Sequence, residues 1–311
     1  MTPTSTPAVL TRPAATASPA APAAGPAAPP TRFRLALRAF SRDKAAVVSA
    51  AVLLLVLLSA VFAPLLSPYD PLVGDMSQRL RGIGTPDHIL GLDGQGRDML
   101  SRLLHGGRYS LTVAIVPVLV AFPLTLMIGL LAGYAKGRVG DILMRLLDVI
   151  FAFPLVLLAI AIAAVFGAGL GNVMIAIGIT LIPYMARVAY TATVQESGKE
   201  YIEAARASGA TVPQIMFREL LPNVVSPLLV YATTLCGLMI VVASGLSFLG
   251  VGVIPPAPDW GIMASDGGKV ILEGYFHVAA IPGLMILVVS LAFNLIGDGL
   301  RDALDPRKQT S

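Results

Sequence analysis

The distribution of charge divides the chain into apolar stretches separated by polar ones. Five windows carry no charged residue: Ala45–Tyr69, Tyr109–Ala135, Val149–Ala186, Ser226–Val253 and Val278–Gly297. A helix needs about 20 apolar residues, rising 1.5 Å each, to cross the hydrocarbon of a bilayer. Each window is long enough. The third is longer than one span, and Gly167-Ala-Gly-Leu-Gly-Asn172 interrupts it. It predicts two spans turning at that cluster, the second running past Arg187 to about Thr193, with a single kinked, tilted helix as the competing reading. Six spans result.

Between the fourth and fifth spans lies the one long polar stretch of this region, Gln195 to Pro227. Its spacing predicts two short helices. The first runs from about Val194 to Ser208 and stops at Gly209, since glycine enters the left-handed region without a Cβ penalty. The second opens at Thr211-Val212-Pro213-Gln214, where Thr211 can cap, Gln214 can return the bond and Pro213 needs no partner for a missing N–H.

Composition agrees with a membrane protein: 56% apolar residues, 13% charged and a mean hydropathy of +0.79. The single cysteine, Cys236, excludes a disulfide framework and suits a small buried hydrophobe. The net charge of +4 is spread over span ends, with no basic face to suggest nucleic acid. Placing the N-terminus in the cytoplasm puts 16 of the 22 Lys and Arg residues inside, leaving a net +6 inside and −2 outside. The bias towards interior positive charge favours that orientation, with both termini and Gln195–Pro222 cytoplasmic. Residues 1–31, nearly all Ala, Pro, Thr and Ser, are expected to be disordered. They lack the apolar core of a cleavable signal. A basic segment follows at 32–44; the membrane domain occupies 45–307 and a short tail 308–311.

The loop 67–108, assigned to the outer side, is too long for a connector. Within it Asp98 and Arg102 have the spacing and order of a favourable i,i+4 pair. Its Asp-Gly-Gln-Gly run does not match a calcium loop, because Arg97 and Asp98 fall where a ligand and a glycine are needed. A turn held by its own salt bridge is the better reading.

Several chemistries are disfavoured. The spans hold almost no ionisable groups; Asp148, Arg187 and Asp298 sit near inner ends, where snorkelling or capping accounts for them. His88, His105 and His277 are read as scattered outer histidines and not a metal site. Ser244 and Ser247 have no histidine in a span to activate them, so a membrane hydrolase is remote. With Gly237, Gly245 and Gly250 they are expected to serve close helix packing. No phosphate-binding Gly-x-x-x-x-Gly-Lys run occurs, so the energy for active transport has to come from elsewhere. An ion-coupled transporter using Asp148 or Asp298 is the alternative.

The set Glu203-Ala204-Ala205, Gly209 and Leu221-Pro222 resembles the coupling loop of membrane subunits of ATP-binding-cassette importers, with Glu219 and Leu220 departing mildly from the family pattern. The outer motif Asp93, Gly96, Arg97, Asp98, Arg102, together with Leu246–Gly252, Pro255–Gly261 and Leu291–Pro306, is similar to dipeptide, oligopeptide and nickel permeases. The similarity runs from about Arg32 to Arg307 and is closest to the second of the two permease types. It implies an all-α, six-span polytopic protein of the type I importer permease fold in the inner membrane. It also implies a homologous permease partner, two cytoplasmic ATPases that bind ATP and Mg, and an extracytoplasmic substrate-binding protein. The chain itself would be non-catalytic and would hold no cofactor. Peptide or nickel-chelate cargo both remain open at this stage.

Overall fold

The computed structural model describes residues 32–304, Lys136 excepted. The expected disordered stretch 1–31 and the tail 308–311 lie outside the described residues. The regular structure of the described residues is all helical, with isolated β-bridges in the loop 67–98 and no strand.

The basic segment forms a helix of its own, α1 (Arg32–Arg42). Span one, α2 (Lys44–Val61), starts where it does because Asp43 caps it: Ala45 N and Ala46 N donate to Asp43 Oδ1 at 2.9 and 3.2 Å. A single turn, α3 (Ala63–Leu66), follows. α4 (Met99–Ala135) is a 37-residue helix, so residues 99–108, expected in the outer loop, are already helical. α5 (Gly137–Phe151) and α6 (Leu155–Phe166) are separated by a short break and bent by 73°. α7 (Leu170–Ser197) returns across the bundle after Gly167, whose φ of +89° makes the turn. The short α8 (Glu200–Ala207) precedes α9 (Val212–Gln214), a π-helical turn at Ile215–Leu220, and α10 (Leu221–Phe248). The cap end then carries α11 (Trp260–Gly268), and α12 (Phe276–Leu304) closes the bundle.

Among the described residues five helical segments are long and apolar enough to cross a membrane, and the bent α5/α6 pair makes six when it is counted as one span. The turn at the glycine cluster separates α6 from α7, so no single kinked helix runs through it. Three boundaries differ from the sequence reading. The third span does not begin at Val149: α5 carries through Asp148 from Gly137, and the chain breaks at Ala152-Phe153-Pro154. The helix expected over Val194–Ser208 is two helices, split at Gly198-Lys199. The fifth span does not begin at Ser226, because α9, the π turn and α10 run on as one segment from Val212 to Phe248.

Side chains between spans gain little from hydrophobic burial when lipid is the alternative, so close van der Waals approach has to hold them. α4 and α7 make the most intimate approach. A Cβ on Gly129 would collide with Ala189 and lie 2.7 Å from Tyr190 N, and one on Gly133 would lie 2.7 Å from Thr193 Cβ. Leu130, Ile177, Leu181 and Met185 fill the seam. The small residues of α10 divide. A Cβ on Gly237 would come 2.9 Å from Ser290 O, and Gly261 sits against Ser244 and Ser247. Gly245 and Gly250 meet nothing, contrary to the packing role expected of them; Gly250 instead turns the chain beyond α10 at φ +81°.

Gly129→Val therefore inserts bulk where backbone and methyl leave no room, at about 1–3 kcal/mol or more. It is expected to lower the thermal midpoint of detergent-solubilised protein followed by size-exclusion chromatography. Gly245→Ala, facing open space, should leave that midpoint unchanged.

Candidate functional site

Two polar structures occupy opposite ends of the bundle. The first is the loop around α8. Gly209 has φ +81° and empty space around its Cβ position, so its identity answers to backbone conformation alone. Ala210 N donates to Ala205 O and Gly209 N to Arg206 O, both at 3.0 Å, the paired bonds of a Schellman stop. Thr211 and Gln214 form the capping box that their spacing predicts, with Thr211 N donating to Gln214 Oε1 at 2.8 Å.

α8 is anchored beneath and at both flanks. Ile202 is fully buried, against a core that includes Ile215 and Leu220. Arg206 lies over the Tyr134 ring of α4, 5.5 Å from its centroid. Tyr201 Oη donates to Glu196 Oε2 at 2.8 Å, Lys199 pairs with the same carboxylate, and Asn223 Nδ2 reaches Tyr201 Oη at 3.3 Å. Burial first, then the bond to Glu196, pushes the Tyr201 phenol up to about 12, so it remains a donor. Glu203 and Ala204 are exposed on the outward face, with Ala205 half-buried beside the core. Between Gly209 and the π turn opens a groove of about 380 Å³ lined by Ser208, Gly209, Ala210, Gln214, Arg218 and Glu219.

The Leu221-Pro222 pair explains why the helix beyond the groove is π-wound. Pro222 has no N–H to donate. Leu221 N reaches five residues back to Met216 O, and Asn223 Nδ2 supplies a bond to Glu219 O at 2.7 Å. The proline is thereby accommodated inside a continuous helix. Leu221 is half-buried and Pro222 exposed.

At the opposite end, the expected outer-loop residues come together, but with different partners. The Asp98–Arg102 pair does not form. Asp98 caps α4 instead, its Oδ2 accepting from Ser101 N and Oγ at 2.7 and 2.8 Å, and its Oδ1 lies 3.0 Å from His88 Nδ1. Arg102, only 1% exposed, turns to Asp93 at 3.3 Å and donates to Pro71 O at 3.1 Å. Arg97 Nε also meets Asp93, at 2.7 Å, and reaches Asp266 of α11 at 3.6 Å. Asp93 Oδ1 accepts from Gln95 N and Arg97 N, with Gly96 between them at φ +71°. His88 is thus a member of a mostly buried network, and not a scattered surface residue. Among the described residues no group of acidic, histidine or cysteine side chains is arranged to hold a metal.

Two arrangements had not been expected from the sequence. Asp259 caps α11 through Gly261 N and Ile262 N, and accepts from Ser110 of α4 at 2.5 Å and from Ser247. Trp260 Nε1 donates to Leu103 O at 2.9 Å, its ring resting on Gly106 and Gly107. Burial pushes the Asp259 carboxyl above its ordinary range, against the opposing pull of these bonds. The second arrangement is an ion pair between Asp148 and Arg187, with Arg187 4.7 Å from the centroid of the Phe151 ring.

Residues 125–310 match the binding-protein-dependent transport system inner membrane component, and residues 31–81 match the N-terminal transmembrane domain of oligopeptide transport permease C. The chain belongs to the binding-protein-dependent transport system inner membrane components, multi-pass permease subunits of ATP-binding-cassette transporters. It is 40% identical over 280 residues to the di/tripeptide transport system permease protein DppC of Pseudomonas aeruginosa, covering 87% of this chain and 90% of that one. It is 43% identical over 277 residues to the glutathione transport system permease protein GsiD of Pectobacterium atrosepticum, covering 89% and 92%. Among solved structures, the inward-facing MetNI methionine ABC transporter has a TM-score of 0.56 at 20% identity, over 67% of this chain and 98% of that one, a likeness of fold.

Asp93 is the anion between two buried guanidinium groups. Asp93→Asn leaves the buried Arg102 without its anion and Arg97 with Asp266 alone, a loss on the order of 3 kcal/mol. Purified protein carrying it should unfold at a lower temperature, whereas Asp87→Asn, at an exposed turn position, should match the parent.

Proposed function

We propose that the chain forms half of the membrane path of an ATP-driven importer of short peptides. It pairs with a homologous permease, receives cargo from an extracytoplasmic substrate-binding protein and docks two cytoplasmic ATPases. ATP and Mg belong to those ATPases; this subunit performs no covalent chemistry. Both termini and α8 lie in the cytoplasm, in keeping with the interior excess of Lys and Arg. The names of the relatives, a di/tripeptide and a glutathione permease, support peptide cargo.

The observation that carries this reading is the build of the α8 loop. Glu203 and Ala204 stand on the exposed face of α8 and Gly209 just beyond its end, yet Ile202, Tyr201 and Arg206 fasten that helix to the core, α7, α10 and α4. A solvated connector needs no such anchoring. An energy-input site does, because displacement of α8 by a partner has to reach the spans. The reading by which Asp148 serves as a lone ion-coupling carboxylate is disfavoured, since Arg187 already neutralises it.

Reconstitution of the complete transporter tests the proposal. Glu203→Lys should insert normally and lose most ATP-dependent peptide uptake, on the order of tenfold or more, through a repulsive charge at a docking face. Parental uptake by Glu203→Lys would remove that residue from the coupling surface. Uptake that survives ATP depletion and collapses with an uncoupler would overturn the importer reading itself.

A further inference from the structure

The Asp148–Arg187 pair lies just inside the inner edge of the hydrocarbon. Arg187 is 17 residues along α7 from Leu170, about 26 Å, within the roughly 30 Å of hydrocarbon that a span crosses. α6 covers only about 18 Å with its 12 residues, and the ion pair sets Asp148, near the end of α5, at the level of Arg187. Charged groups at such depth face protein or water, because exposure to lipid is costly. Yet the two side chains are 55% and 46% exposed, so this subunit does not cover them.

Their neighbours extend the pattern. On α5, Arg138, Asp141, Arg145 and Asp148 recur at helical spacing and all are exposed. On α7, Tyr184, Arg187 and Thr191 do the same. The two helices pack side by side, joined by the ion pair and by the Phe151–Tyr184 ring contact at 4.9 Å. α5 and α7 thus turn polar, uncovered stripes outward side by side, with the exposed Val139, Ile142, Leu146 and Val149 on the adjoining face of α5, while the exposed positions of α6 are all apolar, among them Leu157 and Val165.

We infer that this wall, from Arg138 to Asp148 on α5 and from Tyr184 to Thr191 on α7, lines the water-filled cytoplasmic half of the translocation path. The inference rests on the importer reading for its cargo and sidedness, and on burial and depth for its hydration. Alternating charge along α5 gives the wall little net sign, which suits peptides carrying an ammonium, a carboxylate and side chains of either charge.

The test is thiol accessibility in the assembled transporter, using a Cys236→Ala background and single substitutions Tyr184→Cys, Arg187→Cys and Leu157→Cys, all at positions within the hydrocarbon thickness. Inside-out vesicles are treated with a charged, membrane-impermeant methanethiosulfonate. Thiols react as thiolates, which form where water reaches them, so the wall positions should label about tenfold or more faster than Leu157→Cys. Equal or slower labelling of both wall positions, in variants that still assemble with their partners, would overturn the inference. A second reading guards against misfolding: Asp148→Arg alone should lose uptake, and the exchange Asp148→Arg with Arg187→Asp should restore it. Labelling does not depend on the energy source. Fast labelling with ATP-independent uptake would retain the wall and sink the importer, whereas slow labelling with ATP-driven uptake would do the reverse.

Discussion

The approach of α4 to α7 at Gly129 and Gly133 is the constraint from which both ends of the molecule take their positions. α4 begins in the outer network at Met99 and ends beside Tyr134, under Arg206 of α8. α7 begins at the outer glycine turn and ends at Ser197, where Glu196 holds Tyr201. In lipid such a seam is held by shape, since apolar side chains have no preference for each other over acyl chains. The absence of Cβ atoms at two positions, one helical turn apart, therefore sets how the buried charge network and the α8 loop sit on one scaffold.

The two polar ends are built on different principles. The outer cap encloses its charges: Asp93, Arg97, Asp98 and Arg102 are all buried, each with a partner. Pairs of this kind contribute little net stability relative to apolar packing, but they are strongly destabilising when one member is removed. The α8 loop keeps its charges in solvent and buries aliphatic groups beneath them. A closed network suits a rigid cap, and an exposed face on a buried anchor suits a surface that has to be engaged and displaced.

What could be read in advance followed the range of the interactions involved. Charge-free windows, the glycine turn after Phe166, the stop at Gly209 and the Thr211–Gln214 box all depend on near neighbours, and they were legible. The errors came from distant partners. Asp148 looked like the end of a polar loop because its neutralising partner lies 39 residues away, on another span. Arg102 was assigned to Asp98 by spacing, although a turn folds Asp93 closer. Among the candidate coupling residues, the local conformation of Gly209 was legible. The anchoring of α8 by Tyr134 and Asn223 was not, as both are remote in sequence. α11 is too short to announce itself, and the only local sign was an aspartate ahead of Trp260 in a position to cap.

Pro222 has a consequence of scale. A proline in the middle of a helix usually marks a joint, yet here the wider winding over Ile215–Leu220 and the Asn223 amide carry the segment past it. Val212 and Phe248 are thus the two ends of one rod of 37 residues, about 55 Å in length. At its far end, Ser244 and Ser247 clasp Gly261 and Asp259. A push on one end of such a rod arrives at the other as tilt or twist, with the π-wound turn, Pro222 and Pro227 as the places where it can bend.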